Sequence, residues 1–297
     1  MVLRLEAEET LATGLSRAAT EEIRRARGAL LAQADPEAGV LEARKSLKKV
    51  RAILRLSRAP LGKRRFRAAN HWYRDLARRL AAQRAGAVRV ETLEGLAEGL
   101  DGQAPMRVLR ASRRRLVPRR RRYDDATVRA DVAEALAEAR PGIEALPLEG
   151  FEAVRPGLTR TYRKGQKRMR EAIEKPSAAT FHDWRKRVKD LWYQMRLFGH
   201  AWPETLGSLA DELHLLSDHL GDGHDLDLLE SALQDEARSD PIFDPSPLLP
   251  ALDEERAARR AAAIDLGRRL YAEDPEGFAA RIEAYWRTWR ESERPGG

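Results

Sequence analysis

The chain contains no cysteine, which excludes disulfide bridges and thiolate metal sites. It contains no stretch approaching about 18 consecutive apolar residues, so no membrane insertion is expected. The opening MVLRLEAEETL lacks a basic flank followed by an apolar run, so the sequence predicts a soluble, cytoplasmic protein. Runs of β-branched residues are missing, and with them any strand-rich segment. No phosphate-cradling glycine loop is present, because Gly165 in RKGQKR has none of the required spacing. No Ser/His/Asp order and no carboxylate pair in a catalytic context stands out either, so catalysis and cofactors are not expected.

Carboxylates are missing locally rather than globally. The chain has 55 Lys+Arg against 47 Asp+Glu over 297 residues, a net charge of +8. Yet Arg44 to Arg74, Gln103 to Tyr123 and Arg155 to Arg170 contain no acid at all, whereas acids concentrate in Asp222–Asp244. Segregated positive charge is a statement about partners, and points to nucleic acid, phosphate polymers or an acidic membrane surface.

What is present is a repeat. FHDWRKRVKDLWYQMRL (Phe181–Leu197) aligns without a gap on VLEARKSLKKVRAILRL (Val40–Leu56), pairing Arg44 with Arg185, Lys45 with Lys186, Lys48 with Lys189 and Arg55 with Arg196. Upstream, Gly14–Arg27 shadows Gly157–Arg170, pairing Arg17 with Arg160 and Arg24 with Lys167. A repeat of this length is read before any other signal. Here it repeats positive charge on helices.

Ala, Leu, Arg and Glu dominate and prolines sit at breaks, so nearly every segment reads as helix. The expected helices run about 3–33, 37–57, 62–82, 86–99, 105–116, 124–145, 150–173, 178–198, 203–220, 224–238, 250–272 and 276–291. Ser239–Pro250 reads as a proline-rich loop, and Pro118–Asp125 (PRRRRYDD) as the joint between a first half, about 1–120, and a second, about 121–297. In the repeated helices Ala43, Leu47, Val50 and Leu54 match Trp184, Val188, Leu191 and Met195 as a core stripe. The opposite stripe carries Arg44, Lys48, Arg51 and Arg55, and in the second copy Arg185, Lys189 and Arg196. Like charges three to four apart repel by a few tenths of a kcal/mol per pair, which a helix tolerates more readily if an anion is to sit there.

HDWRKRVKDLWYQMRL, preceded by LTRTYRKGQKR and followed by LGDGHDLDLL, closely resembles the conserved histidine α-helical domain (CHAD) family. The resemblance implies an all-α fold: two four-helix bundles related by a pseudo-two-fold and fused into one body around a basic groove or pore. It implies binding of inorganic polyphosphate, with association with polyphosphate granules as a further expectation. The triphosphate-processing β-barrel that often accompanies the family has no counterpart here. The family's histidines match His182 and His224, but the first-half positions hold Leu41 and approximately Arg84. Ala82–Glu91 likewise loses the aspartates of GDGHDLDLLE.

The candidate polyphosphate-binding residues are Arg44, Lys45, Lys48, Lys49 and Arg51 on one helix and Arg185, Lys186 and Lys189 on its mate. Arg17, Arg24, Arg160, Arg163, Lys164 and Lys167 on the preceding helices would complete the walls. A polyphosphate offers only charge, so recognition needs many cations, with Arg giving bidentate contacts and Lys point charges. The bland alternative is a solvated basic face. His182, with Thr180 as a plausible N-cap, and His224 are either anion donors when protonated or structural histidines paired with Asp183, Asp225 or Asp227. His224-Asp225 is also an HD doublet, which His182 or His214 and Asp253 or Asp265 would complete as a phosphohydrolase metal site. A dipeptide is weak evidence for one, and metal ligands are not expected. Nucleic acid remains the main competing partner, since Trp184, Trp192 and Tyr193 interleave with cations. Helical spacing nonetheless places Trp184 in the core.

Overall fold

The computed structural model describes residues 3–32, 34–80, 85–99, 106–116, 122–139 and 150–293. It is all-α. Eleven α-helices are found among the described residues: α1 (Leu11–Leu31), α2 (Pro36–Leu56), α3 (Arg58–Arg79), α4 (Ala85–Gly99), α5 (Met106–Leu116), α6 (Arg122–Ala137), α7 (Arg155–Glu174), α8 (Ala178–Phe198), α9 (Pro203–Ser239), α10 (Leu249–Leu270) and α11 (Pro275–Ser292). Starts follow local chemistry. The Thr10 hydroxyl accepts from Thr13 N–H, the Asp35 carboxylate from Ala38 N–H and Asp274 from the first turn of α11. Proline opens α2, α9 and α11, where its missing N–H is no loss.

The helices form two groups of four. In the first, α1 packs on α2 and α6, and α3 touches both α2 and α6. In the second, α8 packs on α7 and α9, and α10 on both α9 and α7. Contacts of α2 with α8 and α7, and of α3 with α7, join the groups. A single buried cluster runs through both, from Leu15, Leu47 and Ile53 to Trp184, Tyr162 and Phe278. A second cluster, built from Leu93 and Leu96 of α4, Leu116 of α5, Leu226, Leu229 and Leu233 of α9, and Phe243, Leu248 and Leu252, sits at the far end of α9. Packing therefore crosses the division expected near residue 120, since α6 completes the first group and α4 leans on α9. Of the expected joint, only Arg122–Asp125 fall among the described residues, as the start of α6. No helix among the described residues is long and apolar enough to cross a membrane.

Three expectations change. The first helix begins at Leu11, not near residue 3, because the preceding segment is used as an extended strap. Leu3 and Leu5 are buried, Leu5 N–H donates to the Leu197 carbonyl at 2.9 Å, and Arg290 of α11 donates to the carbonyls of Ala7 and Glu9. α3 starts at Arg58 and kinks at Gly62, whose φ of 73° lies where only glycine is comfortable. The helices expected at 203–220 and 224–238 are one 37-residue helix, α9, through Gly221 and Gly223. Gly221 serves a close approach, not a turn: a Cβ there would stand 2.8 Å from a terminal nitrogen of Arg185.

Candidate anion-binding site

The contact of α2 with α8 brings the repeated cations together. Lys48 is half-buried there. Burial, and then the charges of Lys189, Arg185, Arg44 and Arg51, push its ammonium down to about 7. Lys189 is pushed down to about 8, first by burial and then by Arg185, with Lys45 adding to the effect and Asp218 and Asp225 of α9 opposing it. Arg185 is held across α9, where its Nε donates to the Ser217 carbonyl at 3.4 Å and its guanidinium lies over the bare backbone of Gly221. The two lysines at equivalent positions of the repeat thus face one another. Desolvation and like charge both disfavour the protonated form.

The positive surface continues onto α7 and α3. Arg51 donates to Asn70 Oδ1 at 3.2 Å and is pressed down to about 10 by burial and Arg55, which leaves it charged at neutral pH. Lys164 is lowered to about 8 by burial, then by Arg160, Arg187, Arg58 and Arg55. Arg58 is lowered by burial and by Arg160 and Arg67. One carboxylate sits inside this crowd: Asp190, 7% exposed, pairs with Arg55 at 3.1 Å and Arg187 at 2.8 Å. Removal of one partner from such a buried group leaves the other uncompensated.

Other candidates are engaged elsewhere. Lys49 is buried and donates to both oxygens of Glu22 at 3.0 and 3.1 Å. Arg17 binds Glu9 and Glu21 and the Arg4 carbonyl, and its pKa is raised by Glu9. Arg163 pairs with Glu276 of α11, Lys186 with Asp183 at 2.9 Å, and Lys167 lies 3.8 Å from Glu171. Arg24 lines a cavity of about 380 Å³ with Arg27 and Leu136, beside α6. For Lys49, Arg17 and Arg163 the partners Glu22, Glu9 and Glu276 lie on other elements, so a window of sequence free of acids does not show them, whereas Asp183 and Glu171 share a helix with Lys186 and Lys167.

The two histidines stack on each other, with ring centroids 4.1 Å apart and an interplanar angle of 31°. Burial, and then His224, pushes His182 down to about 4, and burial with Arg185 lowers His224. Both shifts favour the neutral ring in the ligand-free protein. The cap of α8 is Ser177, in a reciprocal box with Thr180, so His182 lies deeper in the helix than expected. The partners proposed for an HD metal site are dispersed. His214 Nδ1 is 2.6 Å from Asp218, Asp253 pairs with Arg256, and Asp265 is 4.0 Å from Arg268. Among the described residues no group of three His, Asp or Glu is placed to hold a metal ion. Asp227 binds Arg256 at 3.2 Å and Arg260 at 3.0 Å, which ties the acidic motif of α9 to α10.

Sequence reading placed Arg55 on the basic stripe without naming it a ligand candidate, and missed Arg58 and Arg187 as members of the cation cluster and Ser217, Gly221 and Asp190 as the groups that hold it. Arg55 and Arg58 fall in the acid-free window from Arg44 to Arg74, which was the available signal. Trp184 and Tyr193 are 0% and 3% exposed, and Trp192 is covered by Lys189, Arg196 and His214. Trp184 and Tyr193 thus offer no open stacking face, and the partly buried Trp192 is already engaged by cations.

Two four-helix groups meeting at the repeated basic helices make an all-helical fold. The sequence profile of the CHAD domain matches residues 15–234, and the chain belongs to the CHAD domain family. Among solved structures it is similar to the CHAD domain from the plant Ricinus communis, at 18% identity and a TM-score of 0.58, covering 92% of this chain and 95% of the plant one. That likeness concerns the fold. No curated protein matches the chain.

Proposed function

We propose that this protein binds inorganic polyphosphate, without hydrolysing it, at the surface where α2, α8, α7 and α3 bring their cations together. The observation that carries the reading is that burial, and then neighbouring cations, depress both ammonium groups: Lys189, Arg185, Arg44 and Arg51 act on Lys48, and Arg185 and Lys45 on Lys189. A fold that holds like charges together in a half-buried place stores repulsion that an anion releases. A phosphate chain does this best, because it lays one negative charge per residue along the row and needs no groove for bases. The burial of Trp184 and Tyr193 and the engagement of Trp192 by cations weigh against single-stranded nucleic acid, whose bases need stacking platforms. In a cell the same affinity would bring the protein to polyphosphate granules.

The non-catalytic part rests on how the acids are used. Asp227, Asp253 and Asp265 face arginines, and His182 and His224 pack against each other, both shifted towards the neutral form. Cleavage of a phosphoanhydride needs a positioned nucleophile and stabilisation of the developing charge. The test compares long-chain polyphosphate with single-stranded nucleic acid at matched charge and near-physiological salt. Much tighter binding of polyphosphate is expected; equal affinity reduces the site to a general polyanion surface. In parallel, polyphosphate should stay intact with Mg²⁺ or Mn²⁺ present. Metal-dependent phosphate release lost in His224→Ala overturns the non-catalytic reading.

A further inference from the structure

Away from the repeated basic helices, α4, α9 and α10 enclose a cavity of the opposite charge. We propose that this space is a binding site for a linear aliphatic polyamine, whose ammonium groups pair with its acidic rim and whose methylenes lie on its apolar floor. The inference stands apart from polyphosphate binding, and neither needs the other.

The cavity measures about 730 Å³, within the roughly 300–1,000 Å³ of small-molecule sites. Asp222 and Asp225 of α9 and Glu254 and Glu255 of α10 line it, against a single cation, Arg259. That guanidinium is already committed, at 3.3 Å to Asp222 and 2.6 Å to Glu255, so acid is in excess. Burial raises the Asp222 carboxyl against the pull of Arg259, and a further cation beside it would stabilise the carboxylate. The floor between the acids is apolar, made by Leu96, Leu226, Ala251 and Ala258. On the α4 wall the Thr92 hydroxyl donates to the Val88 carbonyl at 2.8 Å, which leaves its lone pairs for an ammonium.

Two further observations point from the space to its occupant. Gly95 lies inside α4 on the cavity wall, and a Cβ there would meet nothing within 4 Å. Glycine is, proline apart, the poorest helix former, and no close approach of the protein requires it at this position; its effect is to keep the wall open. The carboxylates are also spread along the cavity. Among the described residues no three His, Asp or Glu are placed to hold one metal ion, while the lining of α10 runs from Ala251 to Arg259, about 12 Å of helix. Separated anions call for a ligand with separated cations, and the apolar ground between them calls for methylenes, as under the stem of a lysine. A single ammonium would satisfy one carboxylate and leave the rest.

Spermidine is titrated into the full chain by calorimetry at near-physiological salt, without polyphosphate, which would bind the polyamine itself. One saturable site per chain is expected. n-Butylamine, with one charge, should bind at least about tenfold more weakly, since it forgoes two ion pairs worth up to about fivefold each. Equimolar Mg²⁺ should not displace spermidine. Glu254→Gln, at an exposed position of α10, should weaken binding about two- to fivefold. Gly95→Leu places a side chain in the open space and should weaken it at least about tenfold, with helix content retained by circular dichroism. Should that variant lose helix, Glu254→Gln decides alone. The absence of a saturable site, equal affinity for n-butylamine, displacement by equimolar Mg²⁺, or unchanged binding in a folded variant overturns the inference. Neither substitution touches α2 or α8, so both variants should bind polyphosphate as the unaltered chain does. A chain that takes spermidine but not polyphosphate refutes the proposed function alone, and the converse refutes this inference alone.

Discussion

Binding of a phosphate polymer should draw protons from solution, and its affinity should fall steeply as pH rises. Empty, Lys48 and Lys189 are pushed down to about 7 and about 8. With a phosphate chain alongside, both should return to the ordinary lysine range near 10.4. For Lys48, the linkage relation makes the binding constant fall by about 50-fold between pH 7 and pH 9; for Lys189 the fall is about tenfold. Neighbours relax and share protons, so the combined loss is expected to be on the order of tenfold to a few hundredfold. Long chains are the right ligand, because only their end phosphates titrate near neutrality. The assay is isothermal titration calorimetry at constant ionic strength in buffers of differing ionisation enthalpy, which counts protons taken up directly. About one to two protons per site are expected near pH 8. The empty protein should respond with the opposite sign. Its lysines bind fewer protons than in the unfolded chain, so their penalty shrinks as pH rises from about 7 towards 10 and this part of the stability grows. An affinity flat from pH 7 to 9, with no proton uptake, refutes the picture of two crowded amines.

Four further outcomes are expected from substitutions. Lys48→Leu should raise unfolding stability near pH 6.5 by about 1–3 kcal/mol, since it removes a half-buried charge with like-charged neighbours, while weakening polyphosphate binding; thermal melts and a binding isotherm read both. Lys49→Ala, one position away, should do the reverse and cost about 3 kcal/mol of stability by leaving Glu22 buried with only Arg25 at 3.3 Å, with little direct effect on binding. Gly221→Ala should displace the Arg185 guanidinium, whose nitrogen stands 2.8 Å from the new methyl, and weaken binding several-fold without loss of helix, as seen by circular dichroism and titration. Lys48→Ala with Lys189→Ala should flatten the dependence of log K on log salt by about 0.7 per lost contact; an unchanged slope makes these positions a solvated face.

Much of the fold was legible because its signals are local. The stripe of Ala43, Leu47, Val50 and Leu54 and its partner Trp184, Val188, Leu191 and Met195 are buried to the last residue. The family resemblance also lay in contiguous residues. What was not legible depended on distant partners. GDG reads as a break because glycine weakens a helix, yet here tertiary packing outweighs propensity: the guanidinium of Arg185 requires the missing side chain, and α9 runs on. The strap at residues 3–10 has helical composition, but its backbone is claimed by Leu197 and Arg290. For the site, periodicity placed Lys48 and Lys189 on corresponding faces. It could not show that Lys49, Arg17 and Arg163 have carboxylates waiting on other elements.

The fate of Lys49 bears on why the two copies of the repeat are unequal. Its aligned position in the second copy is Asp190, and the aligned position of its partner Glu22 is Gly165. In the first copy a buried acid on α1 neutralises a buried cation on α2. The second copy lacks that acid, and the space beside Gly165 is filled by the ring of Tyr271, whose atoms would come within 2.4 Å of a Cβ. There the charge is reversed on the basic helix itself, and Asp190 collects Arg55 from one copy and Arg187 from the other. Each copy thus quenches interior charge by a different route, while both keep a lysine at the position facing the junction. Burial and neighbouring cations disfavour the charged form of both lysines, a cost that a bound anion would offset. The proposed anion site would thus join a support of paired interior charges to two lysines that a ligand could pair, of which Lys189 is partly offset by Asp218 and Asp225.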